Sequence, residues 1–141
     1  MGLLDKLKGS VGIGQPKLSV TLENNQVHRG ASIQGKIMLT AEDRDVTVNN
    51  FEITFTQILK DNVWNEKKKI NEPKSHFTKL AKKDISKGGQ LLKAKQSISD
   101  DFIIDISSEA PPTAQSVSYA LHVTADMSGL DDSETLEIFV V

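Results

Sequence analysis

The chain has 141 residues, with 17 basic against 19 acidic side chains and no cysteine. This suits one globular domain large enough for a two-layer core, and it excludes disulfides, thiolate nucleophiles and sulfur-ligated metals. No apolar stretch approaches the ~20 residues that cross a bilayer, and Asp5, Lys6 and Lys8 interrupt any secretory core at the N-terminus; a cytoplasmic location is the expectation.

Residues 2–10 have the spacing of a short amphipathic helix, with Leu3, Leu4 and Leu7 on one side and glycines at 9, 12 and 14 ending it. Such a helix is marginal alone and needs a surface to lie on. Residues 1–14 therefore form a leader, and residues 15–141 a β domain. The glycine spacing matches neither a dinucleotide nor a nucleoside-triphosphate loop.

Residues 17–23 and 32–40 alternate with a period of two, putting Leu18, Val20 and Leu22, then Ile33, Gly35, Ile37 and Leu39, on one side of an extended chain. They read as a half-buried β-hairpin hinged on a polar turn. After a charged turn at 42–45, the apolar set of 46–59 changes parity across Asn49-Asn50, between Val48 and Phe51, which predicts a bulge or bend. Residues 61–75 are a largely polar segment with Trp64 in it and read as a strand end followed by a loose hairpin around Asn71-Glu72-Pro73. Residues 77–85 alternate weakly, and Lys87-Gly88-Gly89 reads as a tight turn. Phe102, Ile104 and Ile106 mark the next strand, stopped before Pro111-Pro112 because consecutive prolines cannot donate to a ladder. The cleanest alternation is Val117, Tyr119, Leu121, Val123 and Ala125; a turn at 129–133 follows, then Leu136, Ile138 and Val140 on one side. Seven to nine short strands with Gly, Pro and Asn turns predict an all-β fold, an antiparallel β-sandwich of immunoglobulin or related type.

Charge is distributed unevenly. Residues 67–95 hold ten lysines against Glu72 and Asp84, whereas residues 96–141 hold nine acids and no Lys or Arg. If these segments become neighbouring strands, their attraction helps set pairing, each exposed pair contributing ~0–1 kcal/mol. Otherwise Lys67, Lys68 and Lys69 are candidates for a patch that meets an anionic partner. Nucleic acid fits poorly, since Arg29 and Arg44 are the only arginines and aromatics are not interleaved with the lysines. Trp64, in polar surroundings, is the aromatic expected outside the core and a candidate anchor for a partner. Leu3, Leu4 and Leu7 are candidates for a partner or peripheral membrane contact.

No catalytic set emerges. His28, His76 and His122 have no companions at metal-ligand spacing, and His122 lies at the opposite parity to Leu121 and Val123. No serine is framed as Gly-x-Ser-x-Gly. Asp100-Asp101 and Asp131-Asp132 meet calcium's preference for oxygen only if two loops converge, and adjacent acids at turns usually cap them. The residues call for no cofactor, metal or catalytic group.

Together, Ser10-Val11-Gly12-Ile13-Gly14, Val20-Thr-Leu-Glu, the run from Arg29-Gly30 to Gly35-Lys-Ile-Met-Leu39, residues 102–106, Glu109-Ala-Pro-Pro-Thr113 and Tyr119-Ala-Leu-His-Val123 resemble, in order and spacing, the SpoOM sporulation-control family. The resemblance implies an arrestin-like fold and a bacterial, non-catalytic adaptor or regulator that binds a protein partner through strand edges or a sheet face. Arg29 and Ala31 stand where the arrestin turn more often has Pro and Glu. Arrestin-like proteins carry two such sandwiches, whereas this chain has material for one. It is therefore a single-lobe member, an N-terminal fragment, or a lobe completed by a second copy through its edge strands. The rival expectation is a β-sandwich module for an anionic lipid, small molecule or sugar.

Overall fold

The structure, a computed structural model, describes residues 15–141. The expected N-terminal helix lies outside the described residues, as do Leu3, Leu4 and Leu7. Eight strands follow one another: β1 (Lys17–Leu22), β2 (Gln26–Val27), β3 (Ser32–Thr40), β4 (Val46–Asn65), β5 (Ile70–Leu92), β6 (Ser97–Asp105), β7 (Val117–Met127) and β8 (Leu130–Val140). No helix interrupts them among the described residues. They form two sheets, one of three strands in the order β1-β3-β6 and one of five in the order β2-β8-β7-β4-β5. All pairs are antiparallel except the two-residue β2, which runs parallel to β8.

The period-two pattern explains the layers, because alternate residues of each strand share a face. From the smaller sheet, Val20, Ile33, Ile37, Leu39, Phe102 and Ile104 are buried; from the larger, Phe51, Ile53, Phe55, Tyr119, Leu121, Val123 and Ile138 meet them in one core. Full burial of each large apolar side chain contributes roughly 1.5–3 kcal/mol. Gly35 stands in the inner row because the Phe102 ring lies across it: a Cβ there would come within 2.5 Å of Phe102 Cζ. Tyr119 stacks on Phe55 with ring centroids 5.4 Å apart, and its hydroxyl donates to the Pro111 carbonyl at 2.5 Å, tying the proline loop to the core.

The predicted irregularity at Asn49-Asn50 is present as a register shift between Val48 and Asn50 against both β5 and β7. Other expectations are corrected. The opening strands pair as expected, with Leu22 opposite Gly35, but their connection is no simple turn: it passes through β2, which joins the other sheet. Lys87-Gly88-Gly89 is not a turn. These residues lie within β5 as a bulge, opposite the single residue Asn49, where Gly88 and Gly89 take φ of 60° and 74°. The last hairpin turns more tightly than predicted, with Met127 opposite Leu130. Nor are all the strands short, since β4 has 20 residues and β5 has 23. Two long strands emerge because the hairpin around Asn71-Glu72-Pro73 does not form. The chain reverses at residues 66–69, and Pro73 sits in the edge strand β5 opposite Asn62, where a missing N–H costs little.

Candidate functional site

Only the first part of the β4–β5 hairpin belongs to the sandwich. β7 accompanies β4 as far as Leu59, opposite Val117, and Lys60 N donates to Ser116 O at 2.9 Å. Beyond that point β4 and β5 continue alone from Lys60, opposite Ser75, to Asn65, opposite Ile70, as a two-stranded ribbon projecting from the body. The lysine-rich segment thus pairs with β4 and not with the acidic C-terminal strands. Among the described residues, one ion pair joins the two segments: Lys87 Nζ reaches Asp100 Oδ2 at 2.7 Å and closes the open side between the sheets.

Asn65 builds the ribbon's tip. Its side-chain oxygen accepts from the backbone N–H groups of Lys67 and Lys68 at 3.0 and 3.1 Å, and its amide nitrogen donates to Glu72 at 3.0 Å. Lys68 reaches the same carboxylate at 3.0 Å. The Asn65 hydrogen bond, then that of Lys68, holds the Glu72 carboxyl below its ordinary pKa. Lys69 completes the reversal at φ of 53°. Asn65, a side chain able to satisfy backbone donors locally, is the tip's organiser. Sequence reasoning passed over it because the turn was expected six residues later.

Trp64, Lys67, Lys68 and Lys69, four of the sequence-predicted candidates, are brought together at this tip. A shallow recess beside Trp64 is lined also by Val63, Lys67, Pro73 and Lys74. Trp64 is 51% exposed, as expected of an aromatic outside the core. Sequence reasoning missed Phe77, at 69% the most exposed of the large hydrophobic side chains, together with Ile70 and Leu80. Leu80 is the reason: a register shift leaves it as an extra residue between Ala81, opposite Phe55, and Lys79, opposite Thr56. Phe77 therefore shares the outer face with Ile58 and is displaced from the core-facing row of Ala81 and Ile85. Uninterrupted alternation would have put it inside.

The register also distributes charge unevenly across the two faces. On the outer face β4 presents Ile58, Lys60, Asn62 and Trp64, and β5 presents Pro73, Ser75, Phe77 and Lys79; Asp61 and Glu72 fall on the inner face, where Lys74 is opposite Asp61. Like the tip, the outer face mixes apolar groups with lysines.

The imidazoles are dispersed. His28 is in the loop after β2, His76 is opposite Leu59 on the inner face of the ribbon, and His122 is opposite Thr54 on the outer face of the body, its Nδ1 2.6 Å from Thr135 Oγ1. The two aspartate pairs do not sit on converging loops. Asp100 and Asp101 belong to β6, Asp131 and Asp132 to β8 in the other sheet, and Lys87 engages Asp100. Among the described residues no three His, Asp or Glu side chains are grouped to hold a metal ion, and no helix is long and apolar enough to cross a membrane.

Two stacked, largely antiparallel sheets with a projecting cationic ribbon define a β-sandwich protein. The chain belongs to the SpoOM protein family, which matches residues 4–139. The crystal structure of Spo0M, a sporulation control protein from Bacillus subtilis, shares its fold with a TM-score of 0.74 at 16% identity, over 89% of this chain and 49% of that one. The chain thus spans about half the length of that structure. No curated protein matches it significantly.

Proposed function

We propose that the chain is a non-catalytic regulatory protein of the sporulation-control type, an arrestin-like adaptor that binds a protein partner through the β4–β5 ribbon. Membership of the SpoOM family supports the regulatory class, as does the fold shared with the Bacillus subtilis sporulation control protein. The observation that carries the binding role is the ribbon: Trp64 and Ile70 are each half exposed on a projection that also carries Lys67, Lys68 and Lys69. Trp is typical of the residues that dominate binding energy. Flanking lysines add steering toward an acidic surface, an attraction that weakens with salt.

The test is affinity capture from the native cell, comparing the wild-type chain with a Trp64→Ala variant that also carries Lys67→Glu, Lys68→Glu and Lys69→Glu. The expected result is a salt-sensitive partner retained by the wild type and lost by the variant, with no change in melting temperature. Equal capture by both would remove the tip from the binding role.

A further inference from the structure

The two long open edges of the sandwich are chemically opposite. β5 ends the five-stranded sheet and β6 ends the three-stranded one, and both edges lie on the side closed by the Lys87–Asp100 ion pair. Among the described residues, neither β5 nor residues 101–105 of β6 form main-chain hydrogen bonds beyond those to β4 and β3. An antiparallel strand on an edge directs the N–H and C=O groups of every second residue away from its only neighbour.

On β5 the usable stretch is residues 74–79, bounded by Pro73, which has no donor, and by the extra residue Leu80. It reads Lys-Ser-His-Phe-Thr-Lys, and neither lysine makes an ion pair among the described residues. On β6 the outer row is Asp101, Ile103 and Asp105, all exposed, with Ile103 at 52%. Each edge therefore offers one protruding apolar side chain with charge on the same face: Lys79 beside Phe77 on β5, with Lys74 on the opposite face, and Asp101 and Asp105 on either side of Ile103 on β6. Two antiparallel β6 edges centred on Ile103 would set Asp101 opposite Asp105, and like charges directly opposite each other are destabilising; two β5 edges centred on Phe77 would set Lys79 opposite Ser75 if antiparallel, with no counter-charge, and opposite Lys79 if parallel.

We propose that this chain self-associates by strand addition, the β5 edge of one copy at residues 74–79 pairing with the β6 edge of a second copy at residues 101–105. The register follows from the side chains. Phe77 lies opposite Ile103, and Lys79 then falls opposite Asp101 if the strands run antiparallel or Asp105 if they run parallel. Both directions join the apolar pair to an ion pair on the same face. The tip with Trp64 and Lys67 to Lys69 stays outside the paired segment, so this assembly is independent of the partner proposed above. Reciprocal exchange of ribbons closes a dimer, and one-way addition builds a longer chain.

Mass measurement by light scattering across concentration and salt is the first test: the wild type associates, and salt weakens the association. Lys79→Glu yields monomers, as does Asp101→Lys with Asp105→Lys, while an equimolar mixture of the two variants associates again. Because the chain has no cysteine, Phe77→Cys and Ile103→Cys proteins mixed under mild oxidation report the register directly by forming a mixed disulfide. Ser99→Cys in place of Ile103→Cys does not form one, and Lys79→Cys with Asp101→Cys or Asp105→Cys gives the strand direction. A wild type that stays monomeric at all concentrations overturns the proposal, and so does association that survives both charge reversals. Neither result touches capture of a partner by the tip.

Discussion

The body and the ribbon of this protein are made from the same two strands, and they obey different rules. Between Phe51 and Phe55, β4 is buried between β5 and β7 and faces a second sheet, so each alternate side chain is fixed by packing. From Lys60 to Asn65 the same strand has one neighbour, no second layer and a mostly exposed surface. Stability resides in the first region, and the second is held by its own ladder and by Asn65. Substitutions should therefore split cleanly: body variants change melting, and ribbon variants change association and binding at nearly constant melting temperature.

The largest effect is expected for Phe55→Ala. This ring is 1% exposed and stacked on Tyr119; losing it leaves a cavity and an unstacked neighbour, at a cost of about 3–5 kcal/mol by chemical denaturation. A loss below about 1 kcal/mol, within the range of surface substitutions, would mean that the two sheets do not meet at this point. Gly35→Ala tests the smaller sheet's side of the same core. Its Cβ collides with the Phe102 ring, so the ring or the backbone must shift, and overpacking of this kind costs about 1–3 kcal/mol. Phe102→Leu in the same chain should return part of that loss, a coupling readable in a double-mutant cycle. Tyr119→Phe keeps the stacked ring and removes the hydroxyl that binds the Pro111 carbonyl and accepts from Gln57. A loss of about 0.5–1.5 kcal/mol is expected, with faster proteolysis confined to residues 107–116.

The contrast also explains which features could be read in advance. Alternation is visible wherever a strand has a wet face and a dry one, which is why β1, β3, β7 and β8 were legible and why the parity change at Asn49-Asn50 located a real bulge. Placing His122 away from the core succeeded for the same reason. The ribbon has no dry face, so residues 60–75 carry no period to read, and the turn-forming character of Asn71 and Pro73 stood out by default. Two extra segments in β5 were equally hidden. Lys87-Gly88-Gly89 has turn chemistry but serves a bulge, and the insertion at Leu80 leaves no compositional trace while moving Phe77 to the opposite face. Of the candidate site, the residue types at the tip were recognisable from composition, but their convergence was not, because it depends on where β4 ends.

The smallest effect separates the tip from everything else. Glu72 is half-buried at the tip, and its carboxyl is held below the ordinary value of 4.5 by the Asn65 amide and the Lys68 ammonium. A carboxylate whose folded pKa is depressed stabilises its surroundings above its unfolded pKa, and that contribution fades as pH falls through the folded one. Acidification below about pH 4.5 should therefore loosen the tip, which amide exchange at Lys67 and Lys68 would detect as lost protection while the amides of Leu121 and Val123 remain unchanged. Glu72→Gln keeps an acceptor but removes the charge, so the exchange at Lys67 and Lys68 should become independent of this titration once intrinsic rates are divided out. Asn65→Ala removes the acceptor for both amides and should raise their exchange at every pH. If the tip and the body lost protection together in the wild type, the ribbon would be part of the body's cooperative unit, and the division between the two regions would fail.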